Sequence, residues 1–264
     1  MTSQIKLNGG LSPSSITRVG KHEPWELQVA RNQIAFHKTV FKFGFNPDIN
    51  GTEETIWDVG GIYAYPGSAV AMTVTTDAGT PATDNGVKVV VQGLDGDYNE
   101  VSQEVTLAGA GTATTTQTFL RVFRAYVSGS QEPTGNLNIT NGGTTYARIT
   151  VGENQTLMTL WTVPAGYTGF LDHVNIATGT TNANQYVTAQ IVQRTQGGVF
   201  RVMMKQTLGS GGNADFILRY PIAVSEKTDL EVRAVSSGSN NLISANFSMV
   251  YIKNSSVDTN NYSP

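Results

Sequence analysis

The sequence predicts an all-β protein: two consecutive antiparallel β-sandwich or jelly-roll-like domains entered through an extended N-terminal arm. Three observations carry that prediction. Short runs rich in Val, Ile, Thr and aromatic residues recur along the chain, with the spacing of roughly 8–12 residues that marks sandwiches. Clusters of Gly, Asn, Ser and Pro separate the runs and supply their turns. In "VSQEVTL", Val101, Val105 and Leu107 share one face while Ser102, Glu104 and Thr106 share the other, the period-two pattern of a sheet wet on one side.

The elements follow in order. Residues 1–30 are polar, with Gly, Ser and Pro, and form the arm; in "EPWELQVARNQ" Trp25 and Val29 stand four apart, enough for a helical turn or two. Leu7, Leu11, Trp25 and Leu27 are its scattered apolar anchors, suited to ordering against a partner rather than to a core of their own. A first sandwich is expected over 31–146, with strands at 34–43, 70–75, 87–94, 101–107, 119–127 and 137–140. The boundary falls near residue 146, in "TNGGTTYARITVGEN". A second sandwich over 147–254 takes strands at 156–163, 169–177, 186–194, 199–208, 215–224, 229–236 and 242–252. Within 156–163, Leu157, Trp161 and Val163 are expected to face the core, and Thr162 to face away. Residues 255–264 are a polar tail. No repeat of solenoid or propeller length is present.

Composition excludes several functions. Only 14% of residues are charged, so solubility rests on hydroxyls and amides. That suits strands and turns, and it also suits a surface that packs against other chains with few charges to desolvate. A net charge of −3 with 17 Lys+Arg gives no footprint for nucleic acid. The nearest basic pair, Arg121 and Arg124 in "FLRVFR", would point to opposite faces of a strand. There are no cysteines, hence no disulfides or thiolate chemistry. The opening "MTSQIKLNGGLSPSSITRVG" lacks the basic and apolar regions of a signal peptide, and no stretch has the apolar length of a membrane span.

The motifs that could carry chemistry are weak. "GLDGDYNE" places Asp95, Asp97 and Asn99 like the start of a calcium loop. The sixth and twelfth positions, which need Gly and Glu, are Glu100 and Thr106, and both flanks are strands. It reads as a hairpin turn in which Asp-Gly supplies positive φ and Tyr98 folds back. His22, His37 and His173 have no second ligand at metal spacing, and no nucleophile elbow or phosphate loop is present. Asp48, Glu53, Glu54 and Asp58 form the densest acidic set, beside Trp57. Two such carboxylates would be all a glycosidase needs, but carboxylates near an aromatic are also common on solvated loops. No catalytic residue, metal ligand or cofactor site is assigned.

Several stretches taken together, "FKFGFNPDINGTEETIWDVGGIYAYP", "VQGLDGDYNEVSQEVTLAG", "TFLRVFRAYV", "GENQTLMTLWTVPAGYTGFL" and "GGVFRVMMKQTL…DLEVRAVSS", resemble a family of uncharacterised virion structural proteins of tailed phages, notably marine and cyanobacterial ones. The resemblance covers about residues 38–250. It implies a non-enzymatic particle component, assembled in the host cytoplasm: a capsid decoration protein, a head fibre, or a neck or tail appendage. It brings no catalytic residues and no cofactor. The expected partners are further copies of the chain, with a trimer favoured because many virion appendages sit on three-fold positions, and neighbouring major capsid, neck or tail proteins. The alternative is a receptor-binding module that holds host surface glycans through Trp57, Tyr63, Tyr65 or Tyr220.

Overall fold

Strand β1 (His37–Ile49) pairs with the last strand, β16 (Asn241–Lys253), from His37 opposite Ile252 to Ile49 opposite Asn241. The computed structural model describes residues 23–179 and 182–256. Its composition, 57% strand and 5% helix, confirms the all-β class.

Beside β16 lie β11 (Tyr167–Thr178) and then β14 (Asn213–Val224), completing a sheet in the order β1-β16-β11-β14. The facing sheet runs β10 (Leu160–Thr162), β15 (Asp229–Ser236), β12 (Tyr186–Arg194), β13 (Arg201–Gly209), with β2 (Glu54–Thr55) pairing β15. Trp161, Val174, Leu230, Val232, Phe247 and Met249 fill the space between them.

A second sandwich interrupts the first. Its sheets are β6 (Thr112–Phe119), β3 (Val70–Thr76), β8 (Leu137–Asn141), β9 (Thr144–Ile149), and β5 (Glu100–Thr106), β4 (Lys88–Leu94), β7 (Arg121–Val127). Met72, Val89, Val91, Phe119, Val122, Ile139 and Ile149 form its core. All of its strands fall between β2 and β10, so the two sandwiches are nested rather than consecutive. Residues 31–69, expected in the first sandwich, instead feed β1 and β2 into the sandwich built from β10–β16, and the expected boundary at 146 cuts through β9. Alternation along a strand reports which face is buried; it does not report which strand lies alongside.

The stretch 156–163 passes between the two cores. Trp161 points into the holding sandwich, while Met158 and Leu160 belong to the core of the inserted one. Thr162 is buried too, its hydroxyl donating to Asp229 Oδ1 at 2.6 Å, so the expected wet face is an interior one. Gly44 of β1 sits against this crossing: a methyl group there would collide with Thr159 Oγ1 and the Ile56 carbonyl.

Helix α1 (Trp25–Ala30) is the predicted turn or two of helix. Val29 is buried, and it shares with Phe41 and Val250 the wall of a small cavity beside β1. The end of the arm is therefore docked on the chain's own sheet. Leu7, Leu11 and His22 lie outside the described residues, as do 257–264 of the tail.

"GLDGDYNE" is the β4–β5 turn. Asp95 Oδ1 accepts the amides of Asp97 and Asn99, both at 2.9 Å. The positive φ is at Tyr98 (+66°), not at Gly96. Burial of its ring against Leu94 and Leu120 offsets the roughly 1–2 kcal/mol that a left-handed residue costs.

Candidate functional site

The four aromatic residues singled out from the sequence go to three different places. Trp57 and Tyr63 are only 3% and 2% exposed. Their rings pack at 5.2 Å within the inserted core, with Trp57 Nε1 donating to the carbonyls of Gly60 and Gly61 and the Tyr63 hydroxyl to that of Val122. Neither can offer a face to a sugar, and both are corrected to core residues. The turn-rich loop around them predicts exposure, and Gly61, Ile62 and Ala64 are exposed, but the two rings turn inward into the core of the inserted sandwich. Tyr65 is half-buried and lines a cleft; Tyr220 is 78% exposed.

The acidic set is dispersed. Glu53 binds Arg233 at 3.2 Å, and Asp48 accepts the amide of Asn240 at 3.1 Å. Glu54 is buried, with one oxygen taking the Gly61 amide at 2.8 Å and the other without a partner. Burial pushes the Asp58 carboxyl up to about 6, against the pull of the Thr150 hydroxyl and Arg148. Each carboxylate has its own environment, and no opposed pair is formed.

What the structure does assemble is a charge cluster at the seam. Leu230, Val232 and Ala234 of β15 face the core, so Asp229, Glu231 and Arg233 face outward, onto the inserted sandwich. Arg121 of β7 reaches across to Asp229 with two bonds, 2.7 and 3.1 Å. Arg194 holds the same carboxylate at 2.6 Å. Glu231 accepts from Arg233 at 3.0 and 3.1 Å and from the Tyr65 hydroxyl at 3.1 Å. The aromatic rings complete the seam: Arg194 lies 4.4 Å from the Tyr65 ring and 4.5 Å from Phe200, and Arg233 lies 4.3 Å from Phe200. Burial, with the two carboxylates, pushes the Tyr65 phenol well up, so it stays a hydrogen-bond donor. This cluster floors a cleft of about 680 Å³ with Tyr65, Tyr98, Arg121, Arg194 and Asp229 in its walls. With every charge paired, it is a clamp between sandwiches before it is anything else.

Sequence reasoning missed the cluster, although "DLEVRAVS" contains its signal: three charged residues at alternate positions, with apolar residues between. Arg121 and Arg124 do face opposite ways, Arg121 buried and Arg124 exposed.

Among the described residues the two most exposed large apolar side chains, Ile217 and Tyr220, stand on β14. This is an edge strand of its sheet, yet it carries Ile217, 81% exposed, along with Tyr220 and Ile222. Its pairing with β11 jumps from Ile217 opposite His173 to Ile222 opposite Leu171, so residues 218–221 form a bulge in which Leu218 packs against the core and 219–221 are exposed. Pro221 and Arg219 in that bulge block addition of a further strand, so a partner would meet side chains rather than open backbone. The neighbouring edge, β13, exposes Arg201, Val202 and Lys205.

No family model matches the chain, and no curated protein matches it. Among solved structures, similar ones include the top component of cowpea mosaic virus, naturally occurring empty particles, at 12% identity over 68% of this chain and 80% of that one, TM-score 0.22. The VP2 subviral particle of infectious bursal disease virus is another, at 10% identity over 84% and 73%, TM-score 0.23. The Gx strain of that virus is a third, at 7% identity over 89% and 79%, TM-score 0.23. Likeness this distant transfers neither a fold nor a role to this chain.

Proposed function

We propose that this chain is a non-enzymatic structural protein of a bacteriophage virion, in particular a capsid decoration or head-fibre component that binds the head lattice and stabilises or decorates it. The observation that carries the reading is the β14 edge. Large apolar side chains stand in solvent there on a strand whose backbone is blunted against aggregation, the combination expected of a surface that docks on a specific partner. The family resemblance over residues 38–250 supports the same role. The partners would be further copies of the chain, a trimer first among them, and major capsid or neck and tail proteins. The N-terminal residues, with Leu7 and Leu11 as anchors, would add to attachment.

The alternative is a neck or tail appendage that recognises host surface glycans. The seam cleft favours it specifically, since Tyr65 and paired charges beside an open space suit sugar hydroxyls. Labelled antibody on purified particles separates the two. Label on the head surface is the expected result, label at the neck or tail tip would favour the appendage, and absence from particles would overturn both.

A further inference from the structure

A second groove runs along β1 on the seam between the sandwiches. Two adjoining cavities, about 340 and 360 Å³, share Thr39, Val40, Gln92 and Phe123 in their walls. The groove's ends are chemically unlike. At one end Glu100 is satisfied, by Lys38 at 2.5 Å and by the Tyr251 hydroxyl at 2.7 Å. At the other stand Lys42 and Arg124, with no carboxylate among the cavity's lining residues.

Lys42 is only 6% exposed. Its alternation partners on β1, Gly44 and Asn46, are buried as well, so the side chain is committed to the interior. The ammonium donates to the Phe123 carbonyl, one acceptor for a group with three N–H bonds. Among the described residues Arg124 hydrogen-bonds only the neutral Gln155, at 3.3 Å, and lies over the Tyr126 ring. A buried cation is stable only when paired. Here burial, with repulsion from Arg124, pushes the Lys42 amine down to about 7. At the seam clamp, by contrast, every arginine has its carboxylate.

We propose that the Lys42–Arg124 end of this groove binds the carboxylate of a small acidic ligand of monosaccharide size. The ligand's carboxylate supplies the counter-charge that the two cations lack, Thr39, Gln92 and Thr156 supply neutral polar contacts, and Phe41, Phe43 and Phe123 form the apolar wall that a ring would lie against. The volume sits at the lower end of small-molecule sites, which are roughly 300–1,000 Å³. The site is separate from the β14 edge and stands whether or not the chain is a head protein.

The test is calorimetry and thermal melting of the full chain with sodium galacturonate, against galactose, sodium phosphate and sodium chloride at equal ionic strength. Galacturonate should bind saturably and raise the melting temperature beyond the chloride control, as a ligand of the folded state does, while galactose should not. Lys42→Met and Arg124→Gln should each weaken binding about tenfold or more, the effect of losing one charge-assisted bond. Arg124 is exposed, so that variant tests the site even if Lys42→Met folds poorly. No increment over chloride, or an equal increment in both variants, would overturn the proposal. A response to phosphate alone would overturn the carboxylate assignment.

Discussion

Every strand of the inserted sandwich lies within residues 70–149, and its outer face is a field of threonine hydroxyls: Thr73 meets Thr114 at 3.0 Å, and Thr75 meets Thr112 at 3.2 Å. The holding sandwich draws β1 and β16 from opposite ends of the chain and leaves Ile217 and Tyr220 standing on its edge. One surface is finished: its side chains satisfy each other and water. The other is not. In the inserted sandwich the low charge content reflects threonine-rich strands; the β14 edge carries Asp215 and Arg219 yet leaves Ile217 and Tyr220 in solvent, the feature on which the proposed docking surface rests.

The difference in construction predicts the largest effect. A fragment spanning 57–160 keeps both sheets of the inserted sandwich together with Trp57, Met158 and Leu160, and should melt cooperatively. A fragment spanning 31–146 lacks β16 and cuts β9, and should fail to fold. Circular dichroism and urea melts of the two decide it; equal folding of both would mean that the nested topology is wrong.

Next in size are changes where the halves meet. Trp161→Ala empties the holding core and should cost about 3–5 kcal/mol. Asp229→Ala leaves the buried Arg121 and the half-buried Arg194 without their anion and should cost about 3–5 kcal/mol as well. Urea denaturation measures both. A cost under about 1 kcal/mol for Asp229→Ala would mean that the clamp is dispensable.

Lys42 should act in the opposite direction. Its amine titrates near 7 in the folded chain, against 10.5 for an unperturbed lysine. Between those values the unfolded chain holds more protons, so stability rises with pH through that window, and the penalty of burying the charge is complete below 7. Lys42→Met should therefore stabilise the protein by on the order of 3 kcal/mol at pH 6. The gain should shrink towards zero by pH 10, as read from paired melts across pH. A gain that does not change with pH would show that the amine is not titrating there.

Smaller again is Thr162→Ala, which removes the donor to Asp229 and should cost about 1.5–3 kcal/mol. Alternation alone predicts a wet residue at this position.

That miss shows where reading the sequence stops. Runs such as "VKVVVQGL" and "LISANFSMVYI" announce their strands because β-branched residues and flanking turns are local signals. β6, "TATTTQTF", escapes notice because its threonines carry no apolar alternation, although Thr115 and Phe119 are buried. β9 reads as a linker on account of the glycines that flank it, Gly142, Gly143 and Gly152. Partnership between β1 and β16 has no local signature at all. Site residues follow the same rule: Trp57 and Tyr63 look exposed because their loop is polar, and only tertiary packing takes their rings into the inserted core.

The smallest effect on stability is expected at the β14 edge and the threonine face. Ile217→Asp with Tyr220→Ser on the first, and Thr75→Asp on the second, should each move stability by no more than about 0.5 kcal/mol. Their effects on assembly should differ sharply, because truncating an anchor side chain in an interface can cost about 2 kcal/mol or more. Incorporation into particles, measured by complementing a phage that lacks the gene with each variant and quantifying the protein on purified virions, tests this most directly. The Thr75→Asp chain should be incorporated like the unmodified one, and the β14 variant about tenfold less or worse. Equal incorporation of the two, with both melts intact, would contradict the assignment of the β14 edge as the assembly surface.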